Sequence, residues 1–184
     1  MTYVALLRGI NVGGKNPVDM KRLKATFERA GMAGVITYIN SGNVIFRHPS
    51  PDARALATTL ERAIAADFGL EIKVLLCDGA AVIALAAALP DQWVNDAETK
   101  CDALFLWEDV DEPGLVERLP IRPGIDEIRY APGALLWRAE RQNLARSGIL
   151  KLSRTDLYQR MTVRNCNTLR KLADLVRHVA AGAD

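Results

Sequence analysis

Val35-Ile36-Thr37-Tyr38-Ile39-Asn40-Ser41-Gly42-Asn43-Val44-Ile45-Phe46 places two runs of β-branched and aromatic residues on either side of an Asn-Ser-Gly-Asn cluster. That is hairpin chemistry, so strands at Val35 to Tyr38 or Ile39 and at Asn43 to Phe46 are expected to be antiparallel neighbours. Upstream, Tyr3 to Leu7 is an apolar run ending at Arg8-Gly9, as a buried strand running into a loop does. The loop spans Gly9 to Asn16. Pro17 then stands at a first helical position with Asn16 as N-cap, and Met20, Leu23, Phe27 and Ala30 follow at helical spacing as far as Gly31. Downstream, Asp52 caps a helix with the apolar face Leu56, Leu60, Ile64 and Phe68; Gly69 stops it, and Glu71 to Cys77 reads as a strand.

The order β-α-β-β-α-β is the split βαβ pattern of ferredoxin-like folds, which places the chain in the α+β class with an antiparallel sheet. Asp78 caps an alanine-rich helix, Gly79 to Leu89, which stops at Pro90, and residues 90 to 101 read as a linker. A second half then opens with a strand, Asp102 to Trp107, and a short helix near Pro113 to Leu119. Ile125 to Tyr130 and Ala134 to Arg138 form a hairpin with Pro132 and Gly133 at the centre of a type II turn. Residues 141 to 163 read as irregular or short helical, and Leu169, Leu172, Val176 and Val179 mark a closing helix that begins near Asn165. The expected organisation is a ferredoxin-like subdomain at 1–89 and a related α+β subdomain with a C-terminal helix at 90–184, sharing one compact unit.

Of 184 residues, 49% are hydrophobic and 25% charged, which is globular composition and excludes disordered and collagenous classes. No window approaches roughly 18–20 consecutive apolar residues, and the N-terminus opens straight into a strand, so a cytoplasmic protein without membrane partners is expected. Cys77, Cys101 and Cys166 are an odd, widely spaced set that suits reduced thiols, with neither a disulfide framework nor a metal spacing. His48 and His178 are the only histidines, and no G-x-S-x-G elbow occurs. No metal, cofactor or catalytic residue is therefore assigned. Charge is uneven: residues 1–49 carry 7 Lys/Arg against 2 Asp/Glu, residues 50–137 carry 7 against 16, and residues 138–184 carry 10 against 4. Basic ends that met in the fold would attract a phosphate-bearing partner, and basic ends apart would be solvated helix faces. A net charge of only +2 argues against a duplex-DNA binder.

The stretch Arg8-Gly9-Ile10-Asn11-Val12-Gly13-Gly14-Lys15-Asn16 carries the most chemistry. Its glycines let backbone amides approach an anion, a following helix adds its dipole, and Arg8 and Lys15 supply charge; the plainer reading is a tight turn. Gly9 to Lys15 also satisfies G-x-x-x-x-G-K, and Ala103 to Asp109 resembles a Walker B strand. Asn16 stands where magnesium binding needs a hydroxyl, and the hairpin conflicts with the parallel sheet of that fold. A second constellation, Thr162-Val163-Arg164-Asn165-Cys166-Asn167-Thr168, opens the last helix, where Arg164 can grip an oxyanion and the polar residues can equally serve as an N-cap. Ser41 and Asn43 offer a polar turn that hairpin chemistry also explains. Cys166, at a helix start, is the better candidate for a reactive thiol beside Cys101, with a packed thiol as the alternative.

Leu6-Leu7-Arg8-Gly9-Ile10-Asn11-Val12-Gly13-Gly14, Ile39-Asn40-Ser41-Gly42-Asn43-Val44 and Arg164-Asn165-Cys166-Asn167-Thr168 together resemble domain-of-unknown-function family 1697, a widespread bacterial family without an established activity. The resemblance implies a ferredoxin-like N-terminal part and a related second part. It places Arg8, Asn11, Gly13, Gly14, Ser41, Gly42, Asn43, Arg164, Asn165, Asn167 and Thr168 at motif positions and gives none a role. Relatives commonly carry tryptophan where this chain has Cys166; an aromatic that stacked on a ligand would leave a weaker contact here, and one that packed under the sheet would change nothing functional.

The expected site joins the Arg8 to Lys15 loop and the Arg164 to Thr168 helix start, and binds an anionic ligand: a nucleotide, another phosphorylated metabolite or single-stranded RNA. Two rivals stand beside it. One is an enzyme on a phosphorylated small molecule, with Arg8, Lys15 and Arg164 stabilising transition-state charge. The other is a protein-interaction module whose polar motifs are structural.

Overall fold

The computed structural model describes residues 1–181, which form eight β-strands, four α-helices and several short 3₁₀ segments. The chain packs as two compact units, Met1–Val82 with Leu172–Asp184, and Ile83–Lys171. The later part of the last helix thus belongs with the first sheet, a grouping the 89/90 division did not include.

In the first unit, β1 (Thr2–Leu7), β2 (Ala33–Tyr38), β3 (Asn43–Arg47) and β4 (Val74–Asp78) form an antiparallel sheet in the order β2-β3-β1-β4. This is the element order and strand direction expected from the hairpin. The antiparallel pairing of β1 with both neighbours excludes the P-loop architecture, which needs a parallel sheet. Helix α2 (Ala53–Phe68) buries Leu56, Leu60 and Ile64 at i, i+4, i+8, is capped by the Asp52 carboxylate on the Ala55 amide, and ends at Gly69 with φ 67°. Helix α1 (Met20–Arg29) buries Leu23 and Phe27 against the same sheet face. That face contributes Tyr3, Ala5, Leu7, Val44 and Phe46, in the alternation a strand imposes.

One expected boundary is corrected. Helix α1 starts at Met20 rather than Pro17, because Asp19, not Asn16, is the N-cap and accepts from the Arg22 amide. Asn16 has φ 48° and its side-chain amide donates to the Gly9 carbonyl, closing the loop instead of opening a helix.

Helix α3 (Gly79–Ala88) leads toward the second sheet, where β5 (Thr99–Leu106), β6 (Glu127–Ala131), β7 (Ala134–Glu140) and β8 (Met161–Asn165) take the order β6-β7-β5-β8. Counted within its unit, this is the order of the first sheet, so the second half repeats the first at the level of strands. Short 3₁₀ segments such as Pro113–Arg118 and Ile149–Arg154 stand where the first unit has long helices, and they deliver Leu115, Ile149 and Leu152 to the core around Trp137. The stretch expected to be irregular or short helical at 141–163 carries three short 3₁₀ segments as far as Arg160, and strand β8 takes its last residues, 161–163. Helix α4 (Cys166–Ala181) follows it directly. Among the described residues, no helix is long and apolar enough to cross a membrane.

Candidate ligand-binding loops

In the first unit the Arg8–Asn16 loop is a small closed structure. Val12 and Lys15 form an isolated bridge, with the Lys15 amide on the Val12 carbonyl at 3.0 Å, so Val12-Gly13-Gly14-Lys15 is a tight turn with Gly13 at φ 57° and Gly14 at φ 75°. Residues 11 to 15 are exposed and Arg8 is half-buried. Asn11 does the closing: its side chain accepts from the Val18 amide at 2.8 Å and donates to the Val18 carbonyl at 3.0 Å. The same amide nitrogen donates to the Asn40 carbonyl at 2.8 Å, tying this loop to the β2–β3 turn.

That turn is locked from below. Gly42 has φ 77°, and a Cβ there would lie 2.7 Å from Ile10 Cδ1 and 2.8 Å from Leu7 Cβ, so only glycine lets the hairpin close onto β1. The buried Asn43 donates to the Tyr38 carbonyl and to Ser41 Oγ. Ser41 and Asn43 hold the turn, as hairpin chemistry alone would have them do. Ile39 is not explained that way: it has φ 49° and is 48% exposed. Asn11, Asn16 and Ile39 are the non-glycine residues with positive φ among the described residues, and all belong to these two linked loops.

A cleft of about 380 Å3 lies beside the turn, lined by Asn11, Gly14, Lys15, Pro17, Val18, Asp19, Met20 and Asn40. Asp19 and Asn40 were not among the expected site residues. A signal for this corner existed in the sequence, since an isoleucine directly before Asn40-Ser41-Gly42 is a poor residue for a left-handed turn position. The dipole expected from a helix starting at residue 17 does not reach the glycine loop, because Pro17, Val18 and the capping Asp19 carboxylate intervene.

The second motif sits in the second unit and its side chains are engaged there. Arg164 lies in β8, is 7% exposed, and donates to Thr162 Oγ1 and the Val163 carbonyl. Asn165 accepts from the Thr168 amide, capping α4. Asn167 pairs with the Asn95 backbone through both side-chain atoms, at 3.2 and 2.8 Å, and so pins the stretch between α3 and β5. Thr168 is buried. Asn11, Ser41 and Asn43 are thus brought together with the glycine loop, and Arg164, Asn165, Asn167 and Thr168 with one another; Gly13 and Arg164 belong to different units.

The reduced state expected for the cysteines is corrected at one pair. Cys101 and Cys166 form a disulfide, with Cα atoms 5.5 Å apart and both residues fully buried. The β5–β8 ladder pairs Asp102 with Asn165, which sets Cys101 opposite Cys166 although 65 positions separate them in sequence. The spacing concealed this because β8 itself was not expected. Cys166 is consequently a linked, buried sulfur rather than a reactive thiol. Reducing the bond is expected to cost the second unit about 2–4 kcal/mol. Urea unfolding followed by tryptophan fluorescence, with and without dithiothreitol, measures it; coincident midpoints would exclude a stabilising link.

Burial pushes the Asp102 carboxyl above the usual range, against the pull of Lys100 at 3.2 Å and of Arg141. It stands next to Cys101 on β5, directly opposite Asn165 of the second motif in the β5–β8 ladder.

The strand order and the paired loops define a duplicated antiparallel α+β protein. A solved structure of a conserved bacterial protein from Streptococcus pneumoniae is similar to it, with a TM-score of 0.79, 28% identity, and coverage of 95% of this chain and 98% of that one. The chain belongs to the family described as protein of unknown function DUF1697, whose model matches residues 1–137. No curated protein matches it.

Proposed function

We propose that this protein binds a phosphate-bearing ligand on the glycine loop of its first unit, a ferredoxin-like platform in this reading. Ile39 carries the proposal. A β-branched residue in the left-handed region costs about 1–3 kcal/mol, and such conformations concentrate at ligand sites, where the surroundings impose them. Half of this side chain faces solvent, so core packing does not repay the cost, and Asn40 next to it is bonded to the glycine loop. At the loop's tip the Gly13 and Gly14 amides donate no hydrogen bond among the described residues, and the Lys15 side chain is exposed beside them. Turn amides with an adjacent cation make an anion-binding concavity.

The Asp19 carboxylate lines the same cleft, so the ligand that fits pairs an anionic group for Gly13, Gly14 and Lys15 with hydroxyl donors for Asp19 and the Asn40 side chain. Nucleotides and sugar phosphates have that composition, and a cleft of this size suits a small molecule. Short single-stranded RNA offers the same groups in repeated form.

The test is a thermal-shift panel of nucleotides, sugar phosphates, inorganic phosphate and short RNA on wild type, Lys15→Ala and Arg8→Ala. A ligand at about 100 times its Kd adds about 2.7 kcal/mol and raises Tm with concentration. Lys15→Ala is expected to weaken that ligand roughly tenfold, the loss of one charge-assisted contact. Silence across the panel, with all three proteins folded, rejects the proposal.

A further inference from the structure

A different cleft of the first unit, sharing no residue with the glycine loop, contains a donor without a partner. Lys24 and Glu28 of α1, Gly34 of β2, Arg47 at the end of β3 and His178 of α4 line about 350 Å3 of space. The Arg47 Nε–H is shielded from solvent and has no hydrogen-bond partner. The Arg47 side chain also enters none of the ion pairs among the described residues. Buried donors are almost always satisfied, so an orphan of this kind calls for an explanation.

The backbone is shaped around this guanidinium. Gly34 has φ 60°, and a Cβ there would come 3.2 Å from Arg47 Nε, so the guanidinium occupies space that any other residue's side chain would contest. The β2–β3 register shifts between Ala33 and Ile36, a bulge that contains Gly34. Bulges of this type re-aim side chains and recur beside binding sites. Within the cleft, Glu28 lies 3.8 Å from Lys24, with both side chains half exposed, so the one carboxylate is matched to a lysine and Arg47 is left uncompensated. Ile36 and Val179 add an apolar wall.

The geometry points to a binding site for a small amphiphilic oxyanion here, a carboxylate or phosphate head on a short aliphatic body. The head takes the fork of Arg47, flanked by Lys24 and His178, and the body lies on Ile36 and Val179. Arginine suits either head because its parallel N–H groups match two oxygens at once.

The test follows the Arg47 Nε–H resonance of the full chain by nitrogen-15 NMR, assigned by its absence from Arg47→Lys, during titration with inorganic phosphate, butyl phosphate and butyrate. A saturable shift is expected, with butyl phosphate roughly tenfold tighter than inorganic phosphate because about two methylenes leave water; the butyrate arm tells whether a carboxylate head serves as well. Lys24→Gln is expected to weaken binding severalfold, and Glu28→Gln to tighten it by removing the competing carboxylate. An arginine that merely packs over Gly34 would respond to neither change. An Nε–H that none of the three anions moves overturns the site. So does a shift indifferent to both Lys24→Gln and Glu28→Gln, and one lost in Lys15→Ala assigns the binding to the glycine loop instead.

Discussion

Gly148→Ala is expected to abolish the folded state of the second unit or to cost it about 4 kcal/mol or more, at the extreme of what single substitutions do. The reason is steric and local. A Cβ on Gly148 would lie 1.4 Å from the Pro120 carbonyl oxygen and 2.6 Å from its carbon, inside both atoms' contact distances. Backbone atoms, unlike the end of a flexible side chain, cannot swing aside, so either the 120–121 chain or the segment at 147–149 must move as a body. Backbone conformation adds nothing to the penalty, since Gly148 has φ −75° and ψ −33°, which any residue adopts. Gly114 provides the control. No atom stands within 4 Å of a Cβ there, and Gly114→Ala is expected within about 0.5 kcal/mol of wild type. Trp93, Trp107 and Trp137 all lie in the second unit, so fluorescence-detected urea unfolding reads this transition directly. Matching midpoints for the two variants would show that the Pro120–Gly148 contact relaxes freely.

Much of the first unit was legible because its signals are local and redundant. Leu56, Leu60 and Ile64 repeat at helical spacing between a capping Asp52 and a stopping Gly69, and each signal alone would have placed α2. The hairpin announced itself through Ser41, Gly42 and Asn43, whose roles in the turn are those their chemistry suggests. Strand β8 was not legible, because Met161–Asn165 is five residues long, follows three 3₁₀ segments, and owes its pairing to β5 some sixty residues earlier. That one omission hid two further facts, the Cys101–Cys166 bond and the burial of Arg164, since both depend on residues meeting across the β5–β8 ladder. At the glycine loop the residue types marked a turn rich in donors but not how that turn closes. Asn11 resembles a ligand donor and Asn16 a helix N-cap in sequence, and only the fold shows their amides spent on Val18, Asn40 and Gly9.

Replacing Asp126 by alanine is expected to cost the second unit about 3 kcal/mol or more, since it removes the shared acceptor of four hydrogen bonds and leaves buried donors unsatisfied at about 1–3 kcal/mol each. Its carboxylate accepts from Trp137 Nε1 at 3.0 Å, from Ser147 Oγ, and from the Arg122 and Gly148 amides at 2.8 and 2.9 Å. Four donors from three separate segments converge on two oxygens. The same group fixes how stability varies with pH. Burial opposes its ionisation, but the bonds from Ser147, the Arg122 and Gly148 amides and Trp137 outweigh that, holding its carboxyl below the usual range. A depressed folded-state pKa contributes stability that is complete above the unfolded value of about 3.9 and is lost as pH falls through the folded value. Asp102, which burial raises, acts in the opposite direction: its contribution is complete below about 3.9 and declines as pH rises through its folded value. Asp126→Asn is therefore expected to flatten the acid limb of the fluorescence-detected stability profile below about pH 4, and Asp102→Asn to flatten the decline above it. An acid limb unchanged in Asp126→Asn would mean that the four donors hold the carboxyl no more tightly than water does, and the unit's acid sensitivity would have to be sought in its surface carboxylates.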